Sequence, residues 1–264
     1  MASNSAVTLG RVLVTRPAGD ASDALCATLK ASGYEVFSQP LLVLKPLLQL
    51  PVAQREMLLN LDQYRHVIFI SSNAVHFGMA LIEGHWPQLP VGLTWYAIGD
   101  ATAARLDPFG IKAVTPGSDM TSEGLLGVSS LQNVRDQRVL IVKGQGGRDT
   151  LAQELTHRDA VVAELPCYCR CLPQMPAGEL AANVTQWCID VIMITSGEGL
   201  SNLQLLLTPA ETTKLQTISL IVPSQRVAEM AQVAGFREIV TAENASDLAM
   251  LRALKRWRRG TGER

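Results

Sequence analysis

The chain predicts an α/β fold in which one parallel-sheet unit occurs twice. Three pairs of short apolar runs carry that prediction. Arg11-Val-Leu-Val-Thr-Arg-Pro returns as Arg138-Val-Leu-Ile-Val-Lys-Gly, and Val67-Ile-Phe-Ile-Ser-Ser returns as Val191-Ile-Met-Ile-Thr-Ser. Tyr96-Ala-Ile-Gly-Asp returns as Leu220-Ile-Val-Pro-Ser. The spacing stays near ~125 residues, long enough for each copy to bury its own core, unlike a solenoid repeat. Two such lobes are expected to face each other across a cleft, where function should be sought.

In the first copy Val12–Thr15 reads as a buried strand. Asp20–Ala31 follows as a helix, with Leu25 and Leu29 on one face and Gly33 as its stop. Glu35–Gln39, Val67–Ser71, Trp95–Ile98 and Lys112–Val114 read as further strands. Helices are expected near 73–83, 100–108 and 121–131. The second copy repeats the order, with strands near 138–142, 161–165, 191–194, 219–222 and 238–240. Short apolar strands alternating with helices imply parallel sheets covered on both faces.

Two proline-bounded runs interrupt the rhythm at equivalent places, Pro40–Pro46 and Pro166–Pro173. Proline at both ends favours extended backbone and disfavours a helix. They read either as two strands of an interdomain linker (40–46 and 166–173) or as prolongations of the second strand of each copy.

The composition narrows the class. Of 264 residues 47% are hydrophobic and 18% charged, which points to a globular fold rather than disorder. No apolar run approaches the ~18 residues of a membrane span, and Met1-Ala-Ser-Asn-Ser-Ala lacks the pattern of a secretory signal. Five cysteines suit reduced thiols and a cytoplasmic location. The net charge of −1 hides an asymmetry: residues 252–264 hold six basic side chains against Glu263, leaving 17 basic and 23 acidic residues elsewhere. That tail reads as a solvated, frayed helix end rather than a nucleic-acid or membrane contact. A large anionic ligand must then be held locally, by backbone amides and a few arginines.

Val12-Leu-Val-Thr-Arg-Pro17, Val67-Ile-Phe-Ile-Ser-Ser-Asn-Ala-Val75, Ala97-Ile-Gly-Asp-Ala-Thr-Ala103, Thr121-Ser-Glu-Gly-Leu-Leu126, Gly144-Gln-Gly-Gly-Arg148 and Tyr168 occur in that order. Each is a generic strand-to-helix turn, but the ordered set resembles the uroporphyrinogen-III synthase family over about residues 9–255. The resemblance implies two flavodoxin-like domains joined by a two-stranded β linker. The chain would cross over after the second strand of each copy, so that 1–41 plus 172–264 form one domain and 44–168 the other. It implies a cytoplasmic lyase of haem biosynthesis that closes on the linear tetrapyrrole hydroxymethylbilane and releases uroporphyrinogen III. It also implies no cofactor or metal, no nucleic acid partner, a monomer, and transient contact with neighbouring pathway enzymes. In the family's reaction hydroxide leaves ring A, and ring D attacks through its substituted carbon to give a spiro-pyrrolenine. That intermediate fragments and recloses with ring D inverted.

Eight substrate carboxylates would suit strand-to-helix turns, where backbone amides at helix N-termini attract anions. Candidates are Ser71, Ser72 and Asn73; Gly99 and Thr102; Ser122; Gly144, Gly147 and Arg148; Thr195, Ser196 and Gly197; and Ser224. N-capping accounts equally well for any single one of them. Arg16 and Arg148 each follow the first strand of a copy and could fork onto a carboxylate or pair with a nearby acid such as Asp20 or Asp149. Tyr168 matches the family's linker tyrosine and is the candidate proton donor. On an extended strand Cys167, Cys169 and Cys171 share one face, so Tyr168 and Arg170 would face the cleft. The second copy departs from the family where Val222-Pro-Ser-Gln-Arg226 replaces a glycine-containing turn; there Ser224 would act in place of a threonine and Arg226 would add a cation. Glu198 is expected to point away from the substrate.

The Cys-x-Cys-x-Cys run lacks zinc-ligand spacing, the four histidines are scattered, and Gly144-Gln-Gly-Gly147 lacks the Gly-Lys-Ser/Thr of a phosphate loop. The alternatives to the synthase are a two-lobed small-molecule binder or sensor without catalysis, and a non-catalytic family member docked to membrane-associated factors through its basic tail.

Overall fold

The computed structural model describes residues 8–147 and 149–262. From the N-terminus come β1 (Arg11–Val14), α1 (Asp20–Ala31), β2 (Glu35–Ser38), β3 (Val43–Pro46), α2 (Val52–Leu59), β4 (His66–Phe69) and α3 (Ser72–Glu83). Then follow β5 (Thr94–Ala97), α4 (Asp100–Ala104), α5 (Ser122–Leu126), β6 (Arg138–Gly144), α6 (Thr150–His157) and β7 (Val161–Cys171). The last part holds α7 (Glu179–Gln186), β8 (Val191–Met193), α8 (Gly197–Leu205), α9 (Pro209–Leu215), β9 (Ser219–Val222), α10 (Gln225–Val233), β10 (Ile239–Thr241) and α11 (Asp247–Gly262).

The chain divides into two compact units, Met1–Val43 with Cys171–Arg264 (unit 1) and Leu44–Arg170 (unit 2). Unit 1 carries a sheet of order β10-β9-β8-β1-β2; the second sheet has the order β3-β7-β6-β4-β5. The pairings among β1, β2 and β8 to β10, and among β4 to β7, are parallel.

Burial on both faces explains the near-continuous apolar strands. In unit 1 Leu13, Ile192, Leu220 and Val222 pack on one face with Leu180, Leu200 and Leu203. Val12, Val14, Val191, Met193 and Ile221 pack on the other with Leu25, Leu29 and Met250. Unit 2 divides the same way, with Val67, Phe69, Leu140 and Val142 against α3 residues, and Ile68, Val139 and Ile141 against Leu125, Leu151 and Leu155.

The expected helix over Asp20–Ala31 is present, and Gly33 just beyond it adopts φ +90, the left-handed region that a β-carbon disfavours. Other expectations change. A helix over 100–108 stops at Ala104, because the Pro108 ring would meet the carbonyl four residues back; a short turn over Asp107–Phe109 follows instead. The helix expected over 121–131 stops at Leu126, and the carbonyls of Leu126 and Leu131 both accept from Arg158 Nη1 at 2.8 Å. Together with Gln132 Nε2, which donates to the Leu126 carbonyl at 2.6 Å, that arginine supplies the donors which a continuing helix would have provided. Lys112–Val114 is reduced to a single bridge between Val114 and Tyr96.

The two proline-bounded runs behave differently. After β2 the chain is fastened to unit 1 by Asn202 Nδ2 donating to the Leu41 carbonyl at 2.7 Å, and β3 then joins the other sheet. The second run continues β7 straight through Pro166, with a register shift: Lys143 pairs with Pro166, and Gly144 with Tyr168. Cys167 is the extra residue of that bulge.

The tail also departs from the expectation of a frayed end. Residues Met250, Ala253 and Leu254 of α11 are buried, and the Trp257 ring lies 3.3 Å from where a Gly10 β-carbon would stand. Arg252 pairs with Glu243 at 3.0 Å, and Arg256 donates to the Thr241 carbonyl. An apolar stripe on α11 therefore docks it, while Arg252, Lys255, Arg256, Arg258 and Arg259 remain exposed. Among the described residues no helix is long and apolar enough to cross a membrane.

Candidate functional site

In unit 2 the carboxyl ends of β4 to β7 bring several predicted residues together. Ser71 caps α3: its backbone is still extended two residues after β4, and its Oγ accepts from the Ala74 amide at 3.0 Å. Ser72 Oγ donates to the Ala101 carbonyl at 3.2 Å, tying the start of α3 to the start of α4. Asn73 is exposed in the first turn of α3. Gly99 caps α4 and packs against Met120; a β-carbon there would come within 2.9 Å of Met120 Cγ. Thr102 is buried, its amide closing the first turn on the Gly99 carbonyl. Ser122 opens α5, but the cap is Thr121, whose Oγ1 accepts from the Gly124 amide and donates to Asp119 Oδ1.

Tyr168 is placed by the bulge. Strict alternation would set Cys167 inward and Tyr168 outward, yet both are buried, at 1% and 2% exposure. The register shift turns the phenol in beside Gly144 and over α3, so the expectation of an open-facing ring is corrected. The ring lies 5.1 Å from Phe77, Arg170 Cζ lies 5.8 Å from its centroid, and its hydroxyl lies 3.5 Å from Ser71 Oγ. Gly144 makes room for it: a β-carbon there would sit 2.6 Å from Tyr168 Cζ. Cys167 donates to the Lys143 carbonyl at 3.2 Å, and burial pushes its thiol up to about 12, so it is an inert packing group.

Beyond Gly144 the chain turns through Gly146 and Gly147, at φ +74 and +99. Arg148 lies outside the described residues. Lys143, only 4% exposed, donates to Glu164 Oε1 at 2.7 Å and to Asp149 Oδ1 at 3.1 Å. Burial alone would lower its pKa; the hydrogen bonds and charges of the two carboxylates outweigh that and raise it.

In unit 1 the corresponding strand ends hold the remaining candidates. Ser196 caps α8, its Oγ accepting from the Gly199 amide at 3.0 Å, with Thr195 half-buried just before it. Ser224 caps α10 through a longer 3.4 Å bond to the Val227 amide. The guanidinium of Arg226 lies 3.4 Å from where a Gly197 β-carbon would stand, which places a cation beside the starts of α8 and α10. Arg16 is committed inside unit 1. Its Nη1 donates to Asp247 Oδ1 at 2.7 Å and to the Ala21 carbonyl at 2.9 Å, and its Nη2 to the Ala245 carbonyl at 2.9 Å. An acid on α11, Asp247, is thus one partner of this guanidinium.

Sequence reasoning overlooked Lys143, although it stands opposite Arg16 in the matched runs Arg11–Pro17 and Arg138–Gly144. It also missed the bulge, for which no local signal exists beyond Pro166. Chemically the unit 2 cluster offers a sheltered phenol, a serine hydroxyl and helix-start amides; unit 1 offers two capped helix starts and a guanidinium.

Comparisons with known proteins bear on this arrangement. The family model HEM4, described as uroporphyrinogen-III synthase HemD, matches residues 23–252. The uroporphyrinogen-III synthase of Salmonella typhimurium is 34% identical over 247 residues, covering 92% of this chain and 99% of that protein. The enzyme of Escherichia coli K12 is 33% identical over 249 residues, with coverage of 92% and 99%. Among solved structures, uroporphyrinogen-III synthetase from Helicobacter pylori superposes with a TM-score of 0.59 at 14% identity, covering 94% of this chain and 99% of that one. A mutant Thermus thermophilus uroporphyrinogen III synthase gives 0.58 at 19% identity, covering 94% and 98%. The structural matches attest the mixed α/β fold with parallel sheets. On the strength of the family model and the curated relatives, the chain belongs to the uroporphyrinogen-III synthase family, cyclising lyases of tetrapyrrole biosynthesis.

Proposed function

We propose that the chain converts hydroxymethylbilane to uroporphyrinogen III, with the phenol of Tyr168 assisting departure of the ring-A hydroxyl. The observation that carries the residue assignment is the placement of Tyr168. A bulge and a side-chain-free Gly144 set its hydroxyl 3.5 Å from Ser71 Oγ at the start of α3.

In this reading the C–O bond of the hydroxymethyl group breaks as the pyrrole nitrogen supplies electrons. The phenol proton joins the departing hydroxide, which leaves as water. Ring D attacks through its substituted carbon, the spiro intermediate fragments, and reclosure with rearomatisation frees the proton that restores the phenol. Net loss is one water. The bilane closes unaided to the type I isomer, so the protein must also hold it in the folded shape that permits inversion.

That holding is assigned to the helix-start groups of both units: Ser71, Ser72, Asn73, Gly99, Thr102, Ser122, Gly144, Gly147 and Arg148 in unit 2; Thr195, Ser196, Gly197 and Ser224 in unit 1. Support comes from their position after parallel strands, where amides and helix dipoles favour anions. Arg16, expected to fork onto a carboxylate of the substrate, instead anchors the loop after β1, because its donors serve Asp247 and two carbonyls. The two units read as duplicated flavodoxin-like domains, a reading supported by the shared strand order once β6 and β7 are taken as the first two strands of unit 2. Segments 40–46 and 166–173 then serve as the linker strands, and a monomer in the cytoplasm is the working form.

The test is the isomer ratio from freshly generated hydroxymethylbilane, oxidised and resolved by chromatography. Mostly type III product supports the synthase; type I alone at the spontaneous rate sinks it. Tyr168→Phe should lower kcat about 10²-fold, and wild-type turnover in that variant would remove Tyr168 from the mechanism.

A further inference from the structure

The loop after β6 is rich in glycine, and a buried lysine ties its two ends together. It opens on Gly144, turns through two glycines at positive φ, and closes on Asp149, the residue flanking α6. Glycines restrict the backbone least and lose the most conformational freedom on ordering, so an external clamp helps the turn hold one shape. Lys143 meets that need. Its ammonium is almost fully buried and reaches backward to Glu164 on β7 at 2.7 Å and forward to Asp149 at 3.1 Å. One contact joins neighbouring strands; the other bridges the loop from its first strand residue to its last.

We propose that Lys143 is a positioning residue which ties the end of β6 to the start of α6 and so steadies the turn through Gly144, Gly146 and Gly147, whose amides then meet substrate carboxylates already arranged. The proposal rests on the reading that this loop contacts the bilane. The physical reason for the two arms differs. The Glu164 arm satisfies a buried charge that would otherwise be costly. The Asp149 side chain is 58% exposed, so burial does not require that arm. Its consequence is loop order, and a loop ordered in advance spares that entropy on binding.

The discriminating variant is therefore Asp149→Asn, which weakens the loop arm and leaves Lys143 paired with Glu164. With wild-type protein confirmed to form type III product, this variant should raise KM about tenfold with kcat within about twofold. It should release more type I product at low substrate and melt near the wild-type Tm. Glu164→Gln should do the reverse, lowering Tm more and KM less. Lys143→Met should show both effects, and Lys143→Arg should recover part of the KM. Wild-type KM and isomer ratio in Asp149→Asn overturn the clasp. Arg148→Ala tells the two ideas apart: if it raises KM while Asp149→Asn does not, the loop binds substrate without the clasp. If neither moves KM, the loop is not a substrate contact and the reading beneath the proposal fails with it.

Discussion

Arg16 and Lys143 stand at matching places, at the end of the first strand in each of the runs Arg11–Pro17 and Arg138–Gly144. Both cations are largely buried and both reach an acid at the start of a helix, Asp247 before the body of α11 and Asp149 before α6. The next residue separates them. Pro17 follows Arg16, whereas Gly144 follows Lys143 and admits the Tyr168 ring. Equivalent cations thus brace both units, while a missing β-carbon in one unit makes room for a phenol. The lesson is that a shared scaffold can be specialised by the residue beside its brace.

Gly144→Ala should strike hardest at that difference. A β-carbon 2.6 Å from Tyr168 Cζ cannot be accommodated without moving the ring, so kcat should fall about 10²-fold, as with removal of the phenol. A crystal structure of the variant should show Tyr168 displaced; an unmoved ring with full activity would break the comparison. Arg16→Met should act on stability instead. It leaves Asp247 unpaired and two carbonyls without their donor, a loss of about 1–3 kcal/mol readable as a lower Tm with KM near wild type. A large KM change there would mean that Arg16 touches substrate.

The units should also differ toward acid. All four histidines, His66, His76, His85 and His157, lie in unit 2. His66 is buried, with Nδ1 2.9 Å from Tyr96 Oη and Nε2 2.6 Å from Gln137 Oε1, and Tyr96 in turn donates to Ser130. Burial lowers its pKa from 6.5, with the Gln137 bond opposing. A depressed histidine means the unfolded chain takes up the proton first. Its contribution is whole above pH 6.5 and is lost as pH falls from there through the folded value. Unit 2 should therefore lose hydrogen-exchange protection before unit 1 on acidification, and His66→Gln should flatten that dependence.

The smallest effect concerns thiols. With its pKa at about 12, Cys167 should escape alkylation at pH 8, while exposed Cys188 reacts readily. Peptide mapping after iodoacetamide checks this, and fast labelling of Cys167 would mean that β7 opens in solution.

The strands and the helix over Asp20–Ala31 were legible because burial on both sheet faces demands unbroken apolar runs, and helix starts advertise themselves through Ser and Thr. Ser71, Ser196 and Ser224 do cap their helices for that reason. The helix ends at Ala104 and Leu126 were less legible. Pro108 gave a local warning, but at the second break the Leu126 carbonyl is shared by Gln132 nearby and by Arg158, 32 residues away.

Sequence alone thus determined the α/β class, the matched runs, the order of the strands and the family resemblance, since periodicity and turn chemistry are local properties. Tertiary structure decided which strands pair, because β1 pairs with β8 across more than half the chain and so joins β1 and β2 to the sheet of β8 to β10. It also decided where Tyr168 points. Side-chain alternation holds only while register holds, and the extra residue Cys167 in β7 shifts that register by one, a choice made by packing between strands and invisible in either strand by itself.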